Sequence, residues 1–356
     1  MHVSASRFSD ASGLSWRSGS TGCASLLGTL VRVATPPRDM ATEDQSALLA
    51  RCSPLVQSPV AEPSLEALAD PTDGHVSRQD VVMRILVTND DGIDSVGLHV
   101  LARAMREHGD VTVVAPDREY SGASAAFGAI HIMRPDVHKA HIDGMDEVWA
   151  LSGPPALCVM MAHLGLFDKK FDLVVSGINP GANVGRSVYH SGTIGATLTG
   201  RNYGMSGVAV SQAVNGFSVE GQGWDEMVKG QIWETAATVA SHAVAGLIAT
   251  PHAEPVVINI NVPNLPLDEI KGWRRTRVGH EPPRAMVSAR MEPKEGHTSS
   301  FDIKMSWGDP LPLPIDTDGG AVEAGEVSVT FLSKLQHHDI EHTSGAEESL
   351  SRLLQR

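Results

Sequence analysis

The stretch Met83-Arg-Ile-Leu-Val-Thr-Asn89-Asp90-Asp91-Gly92 decides the fold, because its apolar run ends abruptly at two adjacent carboxylates. The Ile-Leu-Val core of the stretch does not alternate with polar residues, which predicts a parallel strand covered on both faces. Residues at the carboxyl ends of such strands line the edge where open α/β sheets bind ligands. Two neighbouring acids repel each other, so a divalent cation between them is the simplest interpretation.

The chain after this strand has the spacing of a helix and then of a second strand. Leu98, Leu101, Ala102 and Met105 fall on one side of a helix. Residues 111–115, Val-Thr-Val-Val-Ala, predict the next strand. This β-α-β order predicts a parallel sheet in which the two carboxylates stand at the ligand-binding edge.

Similar patterns continue along the chain and define the fold class. Buried strands are predicted at residues 172–176, 207–211, 256–260 and 326–331, short strands at 129–149, and helices at 156–163, 229–248 and 347–354. The alanine-rich helix at 229–248 is expected to bury Ile232, Val239, Ala243 and Leu247. We therefore predict an α/β, Rossmann-like, three-layer doubly wound fold with a mostly parallel sheet.

Composition limits the partners. The 356 residues include 28 Lys and Arg against 42 Asp and Glu, for a formal charge of −14. A nucleic acid polymer is therefore disfavoured as the main partner, since neutralising its phosphates requires a basic surface. No apolar run approaches the ~20 residues of a membrane span, and Cys23, Cys52 and Cys158 lack metal-type spacing. We expect a cytoplasmic protein with no membrane partner.

The first part of the chain differs from the rest. Residues 1–82 are Ser-rich, then Pro-rich and acidic, without a sustained period, so we expect a disordered leader or a start assigned too early, since Met83 precedes the first strand. The acid-poor beginning leaves a transit peptide as the alternative. Residues 83–335 form the predicted folded domain, with an extended hairpin or loop region at 265–326, and residues 336–356 form a polar tail.

Two further loops converge on the edge that carries the carboxylate pair. The loop after the second strand contains Ser121, and the loop after the strand at 172–176 contains Asn179 and Asn183. With the two carboxylates these side chains offer oxygen ligands, which suit Mg²⁺ or Mn²⁺ rather than zinc. Asn-Asp-Asp-Gly is also favourable turn chemistry, so a capped turn is the alternative interpretation of the acidic pair.

A helix start with the properties of a phosphate site follows the third loop. Ser191 or Thr193 is suited to cap a helix that continues to Arg201. The free amides and the positive dipole end of such a helix bind phosphate. Neither a dinucleotide fingerprint nor a P-loop follows the first strand, and a G-x-S-x-G elbow is absent from the sequence, which disfavours those classes.

Four ordered motifs resemble a known family. They are Ile-Leu-Val-Thr-Asn-Asp-Asp-Gly at 85–92, Val-Ala-Pro-Asp-Arg with Ser-Gly-Ala-Ser at 114–124, Val-Val-Ser-Gly-Ile-Asn-Pro-Gly-x-Asn at 174–183, and Ser-Gly-Thr at 191–193. Together with Asn-Ile-Asn-Val-Pro at 259–263 and Glu-Val-Ser-Val-Thr at 326–330 they resemble the SurE family over roughly residues 83–335. That family consists of stationary-phase survival proteins, which are metal-dependent phosphatases acting on nucleoside monophosphates.

The resemblance implies a 5′-nucleotidase, which converts a nucleoside monophosphate to nucleoside and phosphate by attack of a metal-activated water. It implies one divalent metal ion per subunit, Mg or Mn, held by Asp90, Asp91, Ser121 and Asn179, with the two aspartates catalytic. It implies a substrate or phosphate pocket formed by Asn89, Asn183, Ser191, Gly192 and Thr193. It also implies a homodimer or homotetramer, in which the region after about residue 265 and the C-terminal segment reach a neighbouring subunit.

Three positions depart from the family pattern. Thr199 stands where the family helix carries a glutamate, and Gly319 and Glu326 replace residues that are more often aromatic. Two other functions remain open from the residues alone. One is a non-catalytic nucleotide-binding or regulatory protein on the same fold, and the other is a metal-dependent sugar-nucleotide transferase, which also uses acidic pairs at strand ends.

Overall fold

The computed structural model describes residues 82–215, 228–250, 252–281, 284, 286–335 and 344–354. The strands are β1 (Arg84–Thr88), β2 (Asp110–Pro116), β3 (Val137–Lys139), β4 (Glu147–Leu151), β5 (Leu173–Pro180), β6 (Ser206–Gln212), β7 (Val257–Val262), β8 (Trp273–Arg275), β9 (Met286–Pro293), β10 (Phe301–Trp307) and β11 (Val327–Leu332). The helices are α1 (Val96–Met105), α2 (Ile130–Met133), α3 (Pro155–His163), α4 (Gly192–Asn202), α5 (Trp233–Ala249), α6 (Asp318–Glu323) and α7 (Ser344–Leu354), with 3₁₀ turns at Gly185–Tyr189 and Leu267–Glu269. The predictions for residues 1–81 lie outside the described residues.

The sheet reverses its winding direction beside β1. Its nine strands have the order β3-β4-β2-β1-β5-β6-β7-β11-β8. β4, β2, β1, β5, β6 and β7 run parallel, whereas β3 and β11 pair antiparallel with β4 and β7. The chain therefore winds from β1 towards β4 and then from β5 towards β7. The carboxyl ends of β1 and β5 flank the crevice at this switch point, where doubly wound proteins bind ligands.

Helices cover both faces of this sheet and bury two apolar cores. On one face α1 and α5 contribute Leu98, Met105 and Val244 to a core with the strands. On the other face α3 and α4 contribute Leu157 and Ala196. The three-layer, doubly wound α/β prediction is confirmed. The parallel strands lack alternation because both of their faces are buried.

Two predicted boundaries differ from the structure. Residues 129–149 contain the short helix α2 before β3 and β4, so only part of this region forms strands. The strand predicted at 172–176 extends as β5 to Pro180, with a pairing irregularity between Ser176 and Asn179. Gly177, at a φ of +133°, has the freedom that this irregularity requires. Asn179 therefore stands on the last residues of a strand and not in a loop.

The buried face of α5 was predicted wrongly. The residues it buries include Ala236, Ala240 and Val244, whereas the expected Ile232, Val239, Ala243 and Leu247 are only half-buried. An alanine-rich helix has apolar residues on more than one face, so its period does not select between them. Three of the expected residues pack against the edge of the core and also line an apolar groove of about 820 Å³ between α5 and the β7-β11-β8 end of the sheet.

The region after residue 265 contains structure both inside and outside the sheet. β8 joins the edge of the main sheet beside β11. β9 and β10 form a separate two-stranded hairpin whose side chains are almost all exposed. The predicted terminal helix at 347–354 is present and starts earlier, as α7. Among the described residues, no helix has the length and apolar character needed to cross a membrane.

Candidate active site

Asp90 is fixed at the end of β1 by the start of α4. Its side chain is 3 % exposed. One carboxylate oxygen accepts a 2.5 Å hydrogen bond from the Thr193 hydroxyl, and the other accepts a 3.2 Å bond from the Gly192 amide. Burial raises the pKa of the Asp90 carboxyl, and these donors partly offset that rise. The negative charge also lies at the positive end of the α4 dipole, which stabilises it.

Gly192 is required by this close approach. A β-carbon at position 192 would lie 2.8 Å from Cβ and Oδ2 of Asp90. Gly195, one turn later, faces the backbone of the Ser121 loop, where a β-carbon would lie 2.1 Å from the Ser124 carbonyl oxygen. The two glycines let α4 pack directly against two of the converging segments. Larger residues would displace one segment or the other.

Asp91 is the second carboxylate of the crevice. Its Oδ2 atom is buried and has no hydrogen-bond partner. Burial, together with the negative charges of Asp90 and Glu119, raises the pKa of Asp91 to about 8. An unpaired buried carboxylate oxygen is costly unless a positive charge satisfies it. The atom therefore fits a divalent cation.

Asn89 forms the turn that the alternative interpretation of the acidic stretch predicted. Its amide nitrogen donates a 3.0 Å bond to the Gly92 carbonyl, which closes the turn after β1. Asn89 has no exposed surface, and its side-chain oxygen is buried without a partner. Its predicted contact with substrate stays a prediction. The turn and a metal site are compatible, because the turn uses Asn89 and leaves both carboxylates available.

Hydrogen bonds of the backbone bring the loop with Ser121 to this site. The amide of Tyr120 donates a 2.7 Å bond to the Asp90 carbonyl oxygen, and the amide of Ser124 donates a 3.1 Å bond to the His190 carbonyl oxygen. The loop thus spans from the end of β1 to the residue before the α4 cap. Ser121 lies between these two anchors and is exposed. Its hydroxyl is accessible to a ligand.

Asn179 contributes a side-chain oxygen to the same crevice. Its amide nitrogen donates a 2.6 Å bond to the Gly181 carbonyl oxygen and a 3.4 Å bond to that of Pro180. The side-chain oxygen is therefore the atom left for a ligand. Asn179 is the second-last residue of β5, the strand next to β1 at the switch point.

Ser191, not Thr193, caps α4. The Ser191 hydroxyl accepts a 3.1 Å bond from the Ile194 amide, as an N-cap residue does. Thr193 and the Gly192 amide are both directed to Asp90, as described above. The start of α4 therefore contacts the carboxylate of β1 directly, which places the predicted phosphate residues beside the predicted metal ligands.

Residues 181–185, which contain the predicted phosphate ligand Asn183 and which we call the phosphate loop, are held by polar side chains whose role the sequence analysis did not predict. The Asn183 amide donates a 2.7 Å bond to Asn261 Oδ1, and its carbonyl oxygen accepts bonds of 3.0 and 3.2 Å from the side chains of Asn259 and Asn261. The Asn183 side chain donates a 2.9 Å bond to the Ser211 hydroxyl, which uses one of its two amide protons. Asn259, Asn261 and Ser211 have no exposed surface.

A sequence signal for this network was present in β7. Asn259 and Asn261 alternate with apolar residues inside a fully buried strand, so both side chains point to the same face of the sheet. Polar groups at such positions are buried only with partners. Their partner, Asn183, is more than seventy residues distant along the chain, at separations of 76 and 78. Periodicity alone cannot identify it.

The three departures from the family pattern are each accommodated locally. Thr199 is buried and donates a 2.7 Å bond to the Gly195 carbonyl oxygen. The space at Gly319 is filled by Leu313, whose Cδ1 atom would lie 2.6 Å from a β-carbon there. Glu326 makes bonds of 2.7 and 3.0 Å with the Arg274 guanidinium, which lower its pKa.

The donor set fits a hard cation better than zinc. The described residues contain no group of three or more His, Cys, Asp or Glu side chains arranged to hold a metal. The predicted set has two carboxylates, a serine hydroxyl and an asparagine oxygen, which are oxygen donors of the kind that Mg²⁺ and Mn²⁺ accept. Asp90, Asp91 and Ser121 follow the carboxyl ends of β1 or β2, and Asn179 lies in the last residues of β5.

The fold and this crevice define a class: a doubly wound α/β protein with two adjacent carboxylates, one of them fully buried, at its switch point beside a helix N-terminus. The family model "Survival protein SurE" matches residues 85–284. A 5′-nucleotidase SurE from Mannheimia succiniciproducens is 38 % identical over 252 residues, covering 70 % of this chain and 91 % of that protein. A 5′/3′-nucleotidase SurE from Erwinia tasmaniensis is 38 % identical over 254 residues, covering 70 % and 90 %.

A solved structure has the same fold. The SurE protein from Aquifex aeolicus superposes with a TM-score of 0.57 at 29 % identity, covering 76 % of this chain and 99 % of that one. The chain belongs to the SurE family, and the predicted family is confirmed.

Proposed function

We propose that this protein is a 5′-nucleotidase, a phosphomonoesterase that hydrolyses nucleoside monophosphates to nucleoside and phosphate with the help of one divalent cation. The names of its curated relatives agree with the nucleotidase class. The observation that carries the mechanism is the buried, unpartnered Asp91 oxygen beside Asp90 and the start of α4. That arrangement combines a place for a cation with a place for a phosphate.

The cation would be held by Asp90, Asp91, Ser121 and Asn179. Mg²⁺ or Mn²⁺ in such a site polarises phosphoryl oxygens and lowers the pKa of a bound water. The orphaned Asp91 oxygen and the free side-chain oxygen of Asn179 support this assignment. Thr193 and Gly192 hold Asp90 in one orientation, so the carboxylate does not have to reorganise when substrate binds.

The phosphate would lie between the phosphate loop and the start of α4. One amide proton of Asn183 is not used by Ser211 and is available to a phosphate oxygen. The Gly192 and Ile194 amides are already used by Asp90 and Ser191, so the start of α4 contributes its favourable dipole and not free amide donors. The net negative charge of the chain does not prevent binding, because these local donors and the cation face the substrate.

The hairpin supports a homo-oligomer. In its register Phe301, Ile303 and Met305 share one face with Met291, while the opposite face carries polar residues such as Lys304. The apolar residues are between 51 and 72 % exposed. An isolated two-stranded hairpin with an uncovered apolar face is marginally stable in water. The same face of a second copy's hairpin is the occupant we assign to it.

The C-terminal helix supplies a second surface of this kind. Leu350, Leu353 and Leu354 lie on one side of α7 and are 55 to 74 % exposed. The apolar groove beside α5, lined by residues such as Val329 and Ile270, is complementary to them. We assign α7 of a neighbouring subunit to this groove, which gives a homodimer or homotetramer. We also propose a cytoplasmic location, since the low cysteine content and the free, buried Cys158 suit a reducing compartment.

Phosphate release from the full-length protein tests the function. A panel of 5′- and 3′-nucleoside monophosphates is incubated with Mn²⁺, Mg²⁺ or EDTA, alongside Asp90→Asn. The proposal requires release that EDTA abolishes, that Mn²⁺ or Mg²⁺ restores, and that the substitution removes. Activity indifferent to chelator refutes the metal-dependent mechanism. Nucleotide binding without phosphate release in the presence of metal refutes the enzyme and favours a regulatory protein.

A further inference from the structure

Asp318, the first residue of α6, is a fully buried carboxylate outside the predicted site. It has no exposed surface. Its Oδ1 atom accepts 2.9 Å bonds from the amides of Gly279 and Gly319, and its Oδ2 atom accepts a 3.0 Å bond from the amide of Gly185. Three backbone donors from three segments therefore converge on one side chain. The Asp318 carboxylate therefore connects those segments through hydrogen bonds.

One of these segments is the phosphate loop. Gly185 ends the loop, two residues after Asn183, and its φ of +55° is a conformation that glycine adopts at little cost. The start of the loop is held by the asparagines of β7, as described above. Asp318 holds its other end. The two anchors, at Asn183 and Gly185, are two residues apart, so both determine the position of the Asn183 side chain.

We propose that Asp318 is a positioning residue that fixes the phosphate loop by accepting the Gly185 amide. The inference rests on the proposed function in one respect, that the loop binds the substrate phosphate. Asp318 does not touch the substrate in this scheme and acts through Asn183.

A carboxylate is the side chain that this position requires. Burial raises the pKa of the Asp318 carboxyl, and the amide donors partly offset the rise. A serine or threonine hydroxyl has two acceptor lone pairs and cannot serve three donors. An asparagine offers one oxygen for two of the amides and directs its NH₂ group at the third. The single oxygen of an asparagine would accept the two amides that Oδ1 of Asp318 accepts now. Its NH₂ group would then face the Gly185 amide, which would lose its acceptor.

Asp318 also lies at the root of the hairpin. Gly279 precedes β9, and Asp318 follows β10. The Asp318 amide donates a 2.9 Å bond to the Arg277 carbonyl oxygen, which closes the root a second time. The root of the hairpin and the phosphate loop therefore share one anchor.

The test uses the full-length protein and Asp318→Asn. We measure KM for the best nucleotide, the Ki of inorganic phosphate, the Mn²⁺ concentration for half-maximal activity, and hydrogen exchange of residues 181–189. Asp318→Asn should raise KM and Ki about tenfold, the effect of leaving a buried donor without an acceptor. It should also speed exchange in residues 181–189 and leave the Mn²⁺ dependence unchanged. On an Asn183→Ala background it should add little to Ki, because both changes act on the same contact.

Thr317→Val is the matched control. The Thr317 hydroxyl caps the same short helix by accepting a 3.2 Å bond from the Gly320 amide, and it does not contact the phosphate loop. This variant should keep the wild-type Ki and the wild-type exchange at 181–189. Gly279→Ala is a milder second variant if Asp318→Asn does not fold, since a β-carbon there lies 3.1 Å from Asp318 Oδ1. It should shift Ki and exchange in the same direction by a smaller factor.

The outcomes distinguish the positioning role of Asp318 from the proposed nucleotidase function. Wild-type exchange and Ki in Asp318→Asn, equal changes in Thr317→Val, or additive effects with Asn183→Ala each overturn the positioning role. If exchange is faster in Asp318→Asn but the wild-type protein releases no phosphate, the positioning role of Asp318 is supported and the nucleotidase function is refuted. Because hydrogen exchange needs no activity, it reports on Asp318 in either case.

Discussion

Gly192→Ala tests the central contact of the site. The added β-carbon would lie 2.8 Å from Cβ and Oδ2 of Asp90 and 3.0 Å from Cγ. Relief to an ordinary contact of about 3.4 Å requires the carboxylate to move by about 0.6 Å. Gly192 lies in α4 and its φ is not positive. Alanine can adopt this conformation and is favoured over glycine in helices. The fold should therefore persist while Asp90 moves.

The expected loss is in catalysis. A misplacement approaching 1 Å at a reacting group reduces the rate by about 10²-fold, so we expect kcat/KM to fall on the order of 10²-fold, or about 2.7 kcal/mol of transition-state stabilisation. The assay is phosphate release from a nucleoside monophosphate with Mn²⁺, together with thermal unfolding. The melting temperature should stay near that of the wild type.

Gly200→Ala in the same helix is the control. Its β-carbon would lie 2.7 Å from Cγ2 of Val174, in the core and not at the site. Overpacking of this kind reduces the free energy of unfolding by about 1–3 kcal/mol, but it should leave kcat/KM per folded molecule unchanged. Wild-type activity in Gly192→Ala, or an equal loss of activity in Gly200→Ala, refutes the reasoning.

Three further predictions concern other parts of the molecule. Asp91→Asn removes a carboxylate with an unpaired buried oxygen, so it should keep the fold and raise the Mn²⁺ concentration needed for activity; an unchanged metal titration contradicts the ligand assignment. Ile303→Glu should reduce the oligomeric mass in analytical ultracentrifugation because it charges the apolar face of the hairpin, whereas Lys304→Glu on the opposite face should not; identical sedimentation of both variants would contradict the interface. Asn261→Ala leaves the buried backbone amide of Asn183 without its acceptor and removes one of the two donors to the Asn183 carbonyl oxygen, which should raise the Ki of phosphate about tenfold. Asn264→Ala, which holds the backbone before α5, should leave it unchanged.

The sequence predicted the central strands and the carboxylates at their ends because those features depend on short-range patterns. A buried strand such as β1 is a continuous apolar run, and its end is marked by a change of residue type at Asn89. The direction of a β-α-β unit then places everything after the strand at one edge. No long-range contact needs to be known for that step. The site residues on β1, β5 and α4 were predicted for this reason.

The parts that were not predicted depend on pairing between distant segments. Asp318 lies 133 residues from Gly185, and it is in a region whose composition predicted only an extended hairpin or loops. The face of α5 was misjudged because alanine and valine occur all round the helix, so tertiary packing and not periodicity selects the buried side. In both cases the interaction that determines the structure joins residues that are far apart in the sequence, so a short stretch of sequence does not reveal it.

Several fully buried polar residues of this protein surround the expected site. Asn89, Ser211, Asn259, Asn261 and Asp318 have no exposed surface, and each belongs to the carboxyl ends of the strands or to the contacts of the phosphate loop. Burying such groups is unfavourable unless each finds a partner, so a core could be built more simply from apolar residues. Their bonds instead hold glycine-containing loops in single conformations around two carboxylates. A phosphate site requires such rigidity, since its donors must already be in place when charge develops on the substrate.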